Sequence, residues 1–405
     1  MIDYSCQSIW LALDDTDERE HGCTTYDFDN LLRYLEEDGC QIDEVRLVRL
    51  WPFAPRRTRG NAALSAKISF DIEWTKVSEM LSSWFQNTFG ELAESDCNHS
   101  AQPVLLATSE QPDEEMYWRT VRGHVEIESV LSELEMVPHK YWSSKRGNNG
   151  IIGCCAAIAW RGNIDYTWEY TAWRKSIDVS RNVPGEIVSL MTEKFPSTIM
   201  NRDPNSGRSL IAPRTPCPVL YGIRGESEKG VVSAHDFLQE NGVEIALCGR
   251  AHRTNQATDD HLESVQSGRI QSSPTVMKGG HVELDVGLKL IAFSKGGAVN
   301  KLAQNLQIGD EIEWYGLQSH DESVHLEKIR LKRGIRNRKR PICDCGSRFK
   351  SKGKDQSLEC PSCKSQHEDV WDYQTESTVW LEPPHSNRRH LSKPTSRRGK
   401  SEVND

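Results

Sequence analysis

Three aspartates within four residues, Asp14, Asp15 and Asp17, follow a short apolar run near the start of the chain. Carboxylates this close to one another repel unless a cation or several hydrogen-bond donors compensate their charge. Their oxygen atoms suit Mg²⁺, which commonly bridges protein carboxylates to substrate phosphates. The alternative is a solvated acidic loop whose aspartates cap the next helix. The spacing therefore predicts either a magnesium site or an ordinary capped turn.

Residues that suit phosphate binding follow directly. Gly22-Cys23-Thr24-Thr25 opens the next predicted helix, with Thr24 or Thr25 as its N-cap, and free backbone N–H groups at such a position favour anions. The sequence has no Walker A motif, so a bound nucleotide must be held in another way. Two basic, glycine-rich turns are candidates for this contact, or are only turns. The first holds Arg57, Arg59, Gly60 and Asn61, and the second holds Gly147 and Gly150.

Four of the 12 cysteines, Cys343, Cys345, Cys360 and Cys363, form two close pairs separated by 14 residues. This is zinc-ribbon spacing, except that the first pair is one residue shorter than the usual C-x-x-C. We therefore predict a structural Zn²⁺, and a disordered or redox-active segment is the alternative. The other eight cysteines are scattered without framework spacing, which indicates a reducing compartment.

Charge divides the chain into an acidic body and a basic end. Residues 331–405 carry a net charge of +7, which leaves −16 for residues 1–330 within the overall −9. A basic region beside a cysteine cluster favours an RNA partner over a solvated tail. No apolar run is long enough to span a bilayer and the N-terminus lacks the pattern of a signal peptide, so we predict a cytoplasmic protein without a membrane partner.

The elements that must position these residues alternate between strand and helix in the first part of the chain. Strands are predicted at 8–13, 45–53, 62–72, 104–107 and 165–173, and helices at 24–38, 77–84 and 118–134. This alternation indicates α/β or α+β units, the second of which begins near residue 145. Residues 282–329 contain strands alone, beginning with one alternating strand over 282–290, and favour a small barrel such as an OB-fold.

Two further segments are rich in hydrogen-bonding side chains. One contains Arg224, and the other runs from Arg253 through Asn255 to residue 262. Such segments either line a substrate cleft or form ordinary linkers, and composition does not decide between them. Arg224, Arg253 and Asn255 are therefore candidate substrate-binding residues.

Taken together and in order, these motifs resemble the archaeal tRNA-isoleucine 2-agmatinylcytidine synthetase family, also called agmatidine synthases. The resemblance spans nearly the whole chain and rests on the segments 13–17, 22–26, 57–61, 216–225, 253–256, 279–281, 343–363 and 388–394. The chain departs from the family pattern in its short first cysteine pair and in a second glycine-rich turn that holds fewer glycines.

The resemblance implies a multi-domain α+β protein. Its expected parts are an unusual kinase-like α/β domain over 1–144, a ferredoxin-like domain over 145–265, an OB-fold over 270–335, a zinc ribbon over 336–375 and a basic tail over 376–405. It also implies the reaction: ATP phosphorylates the C2 oxygen of the wobble cytidine of an isoleucine tRNA, and agmatine displaces that phosphate, with AMP and two phosphates as the other products. Asp14, Asp15 and Asp17 would hold Mg²⁺ and ATP, and Thr24 matches a threonine that becomes phosphorylated.

Agmatine carries an amine and a guanidinium, so its pocket needs carboxylates or carbonyl groups. Asp203 is the predicted partner of the guanidinium. Asp165 and Glu169, four apart on a predicted strand, are further candidates or belong to a solvated strand face. Two other functions stay open, namely another ATP-dependent RNA-modifying enzyme and an RNA-binding protein without catalytic activity. The sequence also leaves the oligomeric state open.

Overall fold

Two compact units make up the chain, one formed by Met1–His261 with Arg388–Asp405 and the other by Leu262–Asn387. The computed structural model describes residues 2, 7–18, 22–58, 60–90, 101–334, 338–353, 356–368, 372–373 and 379–397. Both units contain helices and sheets, so the chain has mixed α and β structure, as the sequence predicts.

The first unit is built on one eight-stranded sheet with the strand order β5-β4-β1-β3-β2-β8-β6-β7. Its strands are β1 (Ser8–Asp14), β2 (Gln41–Arg49), β3 (Ala62–Ser69), β4 (Val104–Thr108), β5 (His139–Ser143), β6 (Thr167–Trp173), β7 (Val219–Gly225) and β8 (Cys248–Thr254). Its helices are α1 (Thr24–Glu37), α2 (Trp74–Phe89), α3 (Glu114–Arg122), α4 (Ile127–Leu134), α5 (Gly150–Ala159), α6 (Gly185–Lys194) and α7 (Glu228–Glu240).

Helices cover both faces of the sheet around β1. Ile9, Leu11 and Leu13 pack in one core with α1 and α2. Trp10 and Ala12 pack in another core with α3, α4 and α5. A strand that is buried on both faces is a continuous apolar run in the sequence, which is why residues 8–13 already indicated a buried strand.

The two halves of the first unit share this sheet. Strand β8 pairs in parallel with β2, which places Arg46 opposite Arg253 and Leu47 opposite Thr254. Helix α5 follows the predicted boundary at residue 144, yet it packs against the first half through the core that contains Trp10. The residues after 144 therefore complete the layer that covers β1.

Four predictions of element bounds in this unit are wrong. The strand predicted over 45–53 is β2, which spans Gln41–Arg49. The N-cap of α1 is Cys23, so Thr24 and Thr25 lie in the first turn of the helix. The helix predicted over 118–134 is two helices, because the backbone is extended at Gly123. Strand β6 begins at Thr167, so Asp165 precedes the strand.

The second unit contains a six-stranded sheet and a smaller β-rich region. The sheet has the order β10-β11-β12-β14-β13-β9. Its elements are β9 (Gln266–Arg269), β10 (Thr275–Val276), β11 (Val282–Asp285), β12 (Lys289–Ala292), α8 (Ala298–Asn305), β13 (Glu311–Gln318) and β14 (Val324–Arg333). The smaller region holds β15 (Arg338–Lys339), β16 (Lys350–Ser351), β17 (Leu358–Glu359), β18 (Gln366–His367) and β19 (Asp372–Tyr373).

The structure corrects two expectations about this unit. The alternating run 282–290 turns back on itself as the hairpin of β11 and β12, because Gly287 adopts a positive φ of 92°. The unit also contains a helix as well as strands, since α8 buries Val299 and Ala303 against the sheet core. No helix in the described parts of the chain is both long enough and apolar enough to cross a membrane.

Candidate functional site

The acidic cluster lies where β1 ends and the chain turns. Asp14 is the last residue of β1, and Asp15 adopts a left-handed φ of 54°. Helix α5 passes close to Asp14, because a Cβ at Gly153 would lie 1.8 Å from Asp14 Oδ2. A Cβ at Gly150 would lie 2.8 Å from the Asp14 carbonyl oxygen. The second glycine-rich turn is therefore brought directly to the aspartates.

Hydroxyl groups connect the acidic turn to α1. Thr24 Oγ1 donates to Asp17 Oδ1 at 3.2 Å, and Thr58 Oγ1 donates to Asp17 Oδ2 at 3.0 Å. Thr16 Oγ1 donates to Asp27 Oδ2 at 2.7 Å. Thr24 thus contacts the carboxylate of Asp17 directly, although it does not cap the helix.

A cavity of about 320 Å³ opens at this cluster. Asp14, Asp15 and Asp17 line one part of it, and the loop after β2 contributes the two basic residues Arg56 and Arg57. Other lining residues are Leu50, Trp51, Ala54, Pro55, Thr58, Asn61, Ala62, Thr120, Gly123, His124, Val125, Asn149, Ile152 and Gly153. We refer to this cavity as the acidic cleft.

Burial and mutual repulsion disfavour the charged forms of the carboxylates at the acidic cleft. Burial and the neighbouring Asp15 raise the pKa of Asp14 well above its ordinary value. Burial raises the pKa of Asp15 to about 6, even though Arg56 lies 3.4 Å away and acts in the opposite direction. Burial also raises the pKa of Asp27 to about 6. A bound divalent cation would stabilise their charged forms, and these oxygen donors fit Mg²⁺.

The two predicted phosphate-binding turns differ in their surroundings. Gly147 has a φ of 138° and lies so close to Gln102 that a Cβ there would be 2.2 Å from Oε1. Asn61 has a φ of 42° and donates from its side chain to the Trp51 carbonyl oxygen at 2.8 Å. Arg57 lines the acidic cleft, Gly60 lies against Arg49, and Arg59 lies outside the described residues.

The predicted substrate-binding residues lie deeper in the first unit. The backbone N–H of Arg49 donates to Asn255 Oδ1 at 2.7 Å, and Asn255 Nδ2 donates to the Arg49 carbonyl oxygen at 2.8 Å. Arg253 pairs with Glu44 at 3.1 Å and stacks on Tyr166. Arg224 pairs with Glu169 at 3.7 Å. None of the three lines the acidic cleft as the structure describes it.

The acidic candidates for agmatine are engaged in contacts within the protein. Asp203 is buried, and its Oδ1 accepts from the backbone N–H of Asn205 at 3.0 Å, which closes its own loop. Asp165 pairs with Lys393 at 2.7 Å and with Arg397 at 3.0 Å. The C-terminal segment, expected to be part of a separate basic tail, therefore lies against the first unit.

Sequence reasoning missed several residues of the cleft. Gly153 leaves room for Asp14, and Thr58 holds Asp17. A glycine inside a strongly apolar helix is an unusual choice, so Gly153 carried a detectable signal. Thr58 belongs to the motif 57–61, but its contact with Asp17 was not predictable, because the two residues are 41 positions apart in the sequence.

The four predicted zinc ligands come together in the second unit. The Sγ atoms of Cys343, Cys345, Cys360 and Cys363 all lie within 4.8 Å of one another. Two of the S···S distances are 3.4 Å, and tetrahedral Zn²⁺ with bonds of about 2.3 Å places sulfur atoms about 3.8 Å apart. The donor set therefore fits a structural Zn²⁺ despite the short first pair.

Comparison with known families covers most of the chain. The TiaS TCKD domain matches residues 10–145 and the TiaS FLD domain matches residues 148–261. The TiaS C-terminal zinc ribbon domain matches residues 340–376.

Full-length relatives give the same result. The chain is 32% identical over 412 residues to the tRNA(Ile2) 2-agmatinylcytidine synthetase TiaS of Methanocorpusculum labreanum, with 96% of each protein covered. It is 30% identical to the protein of that name from Archaeoglobus fulgidus, over 96% of this chain and 97% of the relative.

Solved structures match over the same length. The TiaS–tRNA(Ile2)–ATP complex superposes with a TM-score of 0.76 at 27% identity, over 96% of this chain and 97% of that one. The TiaS–tRNA(Ile2)–AMPCPP–agmatine complex also superposes with a TM-score of 0.76 at 27% identity, over 97% of this chain and 98% of that one.

Fold and site together define a mixed α/β protein of several sheets that combines a carboxylate-lined cleft with a four-cysteine zinc ribbon. The two full-length relatives from Methanocorpusculum labreanum and Archaeoglobus fulgidus carry one name. The chain belongs to the tRNA(Ile2) 2-agmatinylcytidine synthetase TiaS family, and the resemblance stated from the sequence is confirmed.

Proposed function

We propose that this protein uses ATP to join agmatine to C2 of the wobble cytidine of an isoleucine tRNA, through a phosphorylated cytidine. Membership of the family supports the overall reaction, since relatives with 30–32% identity are 2-agmatinylcytidine synthetases. The observation that carries the proposal is one cleft lined by three carboxylates and by Asn149 of the turn before α5, with Thr24 hydrogen-bonded to Asp17. Phosphoryl transfer needs mainly positioning and charge neutralisation, and this cleft offers both.

We assign the phosphoryl-transfer step to the acidic cleft. Asp14, Asp15 and Asp17 would hold Mg²⁺, which would neutralise developing charge on the transferred phosphate. Arg56 and Arg57 are close enough to contact phosphate oxygens of a nucleotide in the same cavity. Thr24 is the proposed site of phosphorylation on the protein, and its hydroxyl already points to Asp17.

The proposed domain roles follow the order of the chain. Residues 1–144 form the kinase-like domain and 145–265 the ferredoxin-like domain, although both contribute strands to one sheet. Residues 270–335 form the OB-fold, with α8 as its helix, and 336–375 form the zinc ribbon. A pyrimidine C2 oxygen lies at the pairing edge of the base, so the cytidine must leave its stack, while the OB-fold and ribbon grip the rest of the tRNA.

Asp203 remains the proposed partner of the agmatine guanidinium, with Arg224, Arg253 and Asn255 as further substrate-binding candidates. The competing role is structural, because Asp203 closes its own loop. Asp203→Asn distinguishes the substrate-binding role from the structural one. If Asp203 contacts the guanidinium, the loss of that contact raises the KM for agmatine at unchanged melting temperature. A purely structural role lowers the melting temperature and leaves the KM for agmatine unchanged in the folded fraction.

The decisive experiment incubates the protein with isoleucine tRNA that carries an unmodified wobble cytidine, Mg-ATP and labelled agmatine, and weighs the nucleosides after digestion. We expect a cytidine that gains the mass of agmatine less water. ATP consumption with unchanged cytidine would indicate a different RNA-modifying enzyme, and absence of ATP consumption would indicate an RNA-binding protein.

Variants of the acidic cleft test the assignment of the first step. Asp14→Asn should abolish Mg²⁺-dependent ATP consumption because it removes a metal ligand, whereas tRNA binding should persist. Asp71→Asn is the matched control, since Asp71 is exposed in the same unit and does not line the cleft. Equal ATP consumption by both variants would refute the metal role of Asp14.

A further inference from the structure

A second cavity of about 220 Å³ opens beside the acidic cleft. The two cavities share Leu50, Arg57 and Asn61 in their linings. The second cavity is also lined by Arg49 and by residues 389–391 of the C-terminal segment. As far as the chain is described, no acidic residue lines the second cavity, whereas three aspartates line the first. The neighbouring cavities therefore differ in the sign of their charge.

Arg49 is a buried cation with incomplete compensation. Its side chain is 13% exposed, and its Nη2 lies 3.9 Å from Glu169 Oε2. The same carboxylate pairs with Arg224 at 3.7 Å and accepts from Gln256. The Nε atoms of both arginines are buried without a hydrogen-bond partner. One carboxylate thus serves two guanidinium groups, and a bound anion would supply the remaining negative charge.

His390 responds to this excess of positive charge. The guanidinium groups of Arg49 and Arg224 hold the pKa of His390 well below its ordinary value. Its ring hydrogen-bonds to the Gln256 side chain at 3.1 Å. His390 is therefore neutral near pH 7 and contributes shape, while the arginines contribute charge.

The C-terminal residues of the second cavity are fixed in place. The backbone N–H of Ala257 donates to the carbonyl oxygen of His390 at 2.9 Å, and that of Asp259 donates to Leu391 at 2.8 Å. The Arg389 guanidinium lies 4.6 Å from the centre of the Phe53 ring. Arg389 is thus positioned in the lining before any ligand arrives, which lowers the entropy cost of binding.

We propose that the second cavity is a phosphate subsite, in which Arg49, Arg57 and the C-terminal Arg389 hold a phosphate group next to the acidic cleft. The inference rests on the proposed function, since it assigns a second phosphate contact to that reaction's polyanionic substrates. The ligand is a phosphate of the tRNA backbone or of the nucleotide, and both carry the oxygens that arginine recognises.

Arg389→Gln tests the subsite, with Arg122→Gln as a matched control. Arg122 also stacks on an aromatic ring, at 4.6 Å from that of Trp118, and lines neither cavity. Both variants remove one positive charge, so non-specific attraction of RNA changes equally. The measurements are the Kd for tRNA over a range of salt concentrations and the Kd for a non-hydrolysable ATP analogue.

We expect Arg389→Gln to raise the Kd for one of the two ligands about tenfold relative to Arg122→Gln. If the ligand is a backbone phosphate of tRNA, Arg389→Gln weakens tRNA binding and reduces the slope of log affinity against log salt concentration by about 1. A nucleotide phosphate predicts weaker binding of the ATP analogue at unchanged tRNA affinity. Equal affinities of the two variants for both ligands would overturn the subsite.

Gly60→Ala supplies a second variant that leaves the net charge unchanged. A Cβ at Gly60 would lie 2.3 Å from Arg49 Nη1, so it displaces the guanidinium within the cavity. We expect it to weaken the same ligand as Arg389→Gln, and wild-type affinity for both ligands would count against the proposal. All readouts are binding constants, so a wild-type protein that binds both ligands but makes no agmatine conjugate would refute only the proposed function.

Discussion

Asn255, one of the proposed substrate-binding residues, is also a member of a buried hydrogen-bond chain. Its side chain bonds the backbone of Arg49 on both sides and donates to Tyr117 Oη at 2.7 Å. Tyr117 in turn donates to Asp260 Oδ2 at 2.6 Å. This buried chain ties α3 and the segment after β8 to strand β2, because each polar group there needs a partner.

Asp260 should make the stability of the protein depend on pH. Burial raises its pKa from 3.8 to about 6, so between these pH values the folded chain binds more protons than the unfolded chain. Stability contributed by protonated Asp260 is therefore present below about pH 4 and lost as the pH rises through 6. In Mg²⁺-free buffer, the free energy of unfolding of the wild type should fall between pH 4 and 7 by up to about 3 kcal/mol more than that of Asp260→Asn.

Denaturant titration of both proteins at several pH values measures this difference. Parallel pH profiles would show that Asp260 titrates with an ordinary pKa in the folded chain. Other buried carboxylates, such as Asp27, titrate in both proteins and cancel in the comparison.

At the scale of elements, α5 couples packing to the acidic cleft. The helix is buried along nearly its whole length, and its Gly153 faces Asp14. Any larger side chain at this position must displace the carboxylate or the helix. The helix therefore sets the position of a proposed magnesium ligand.

Gly153→Ala should reduce ATP consumption about a hundredfold, because misplacement of a reacting group by about 1 Å has an effect of this size. Alanine normally stabilises a helix interior by about 0.5–1 kcal/mol over glycine, so the chain should still fold. Gly185→Ala in α6 is the control, since nothing lies within 4 Å of its added Cβ. Wild-type ATP consumption by Gly153→Ala would show that the cleft tolerates movement of Asp14.

The zinc ribbon is an element that depends on its metal. Its apolar core contains only Phe349 and Leu358 besides the ligands Cys343 and Cys360 among the described residues. So small a core cannot stabilise a fold by burial alone.

Cys360→Ser should lose the Zn²⁺ that the wild type carries at about one ion per chain. Elemental analysis of reduced protein measures the metal, and Cys248→Ser should retain it, because Cys248 lies in β8 of the first unit. We also expect Cys360→Ser to weaken tRNA binding more than ATP binding. Retention of stoichiometric zinc by Cys360→Ser would contradict the ligand assignment.

At the scale of the whole molecule, the C-terminal residues 388–397 belong to the first unit. Arg397 is 3% exposed and pairs with Asp165 at 3.0 Å and with Glu226 at 2.9 Å. A truncation from Lys332 onward would therefore remove buried ion pairs of the first unit along with the basic ribbon. Point substitutions distinguish these effects better than deletion.

Arg397→Gln should destabilise the protein by about 3 kcal/mol, since it removes the ion pair of Glu226 and leaves Asp165 with Lys393 alone. Arg269→Gln breaks an ion pair whose arginine is 67% exposed, and should cost at most about 1 kcal/mol. Thermal and denaturant unfolding compare the two variants. An equal decrease in the free energy of unfolding of both variants would mean that the C-terminal ion pairs contribute little to the stability of the first unit.

The sequence by itself determined the features that are local in the chain. The apolar run before Asp14, the spacing of Cys343 to Cys363 and the co-linear motifs were enough to predict the buried strand, the four-sulfur cluster and the family. Periodicity also placed α2 and β4, because burial on one or two faces leaves a regular pattern in nearby residues.

Only the tertiary structure decided which distant residues meet. It brought Gly153 to Asp14, Thr58 to Asp17 and Arg389 into the second cavity, and it turned the single predicted strand over 282–290 into a hairpin. Such contacts depend on how strands and helices pack across long sequence separations. No periodic pattern encodes them, because each requires only that one side chain be small enough or polar enough where two segments cross.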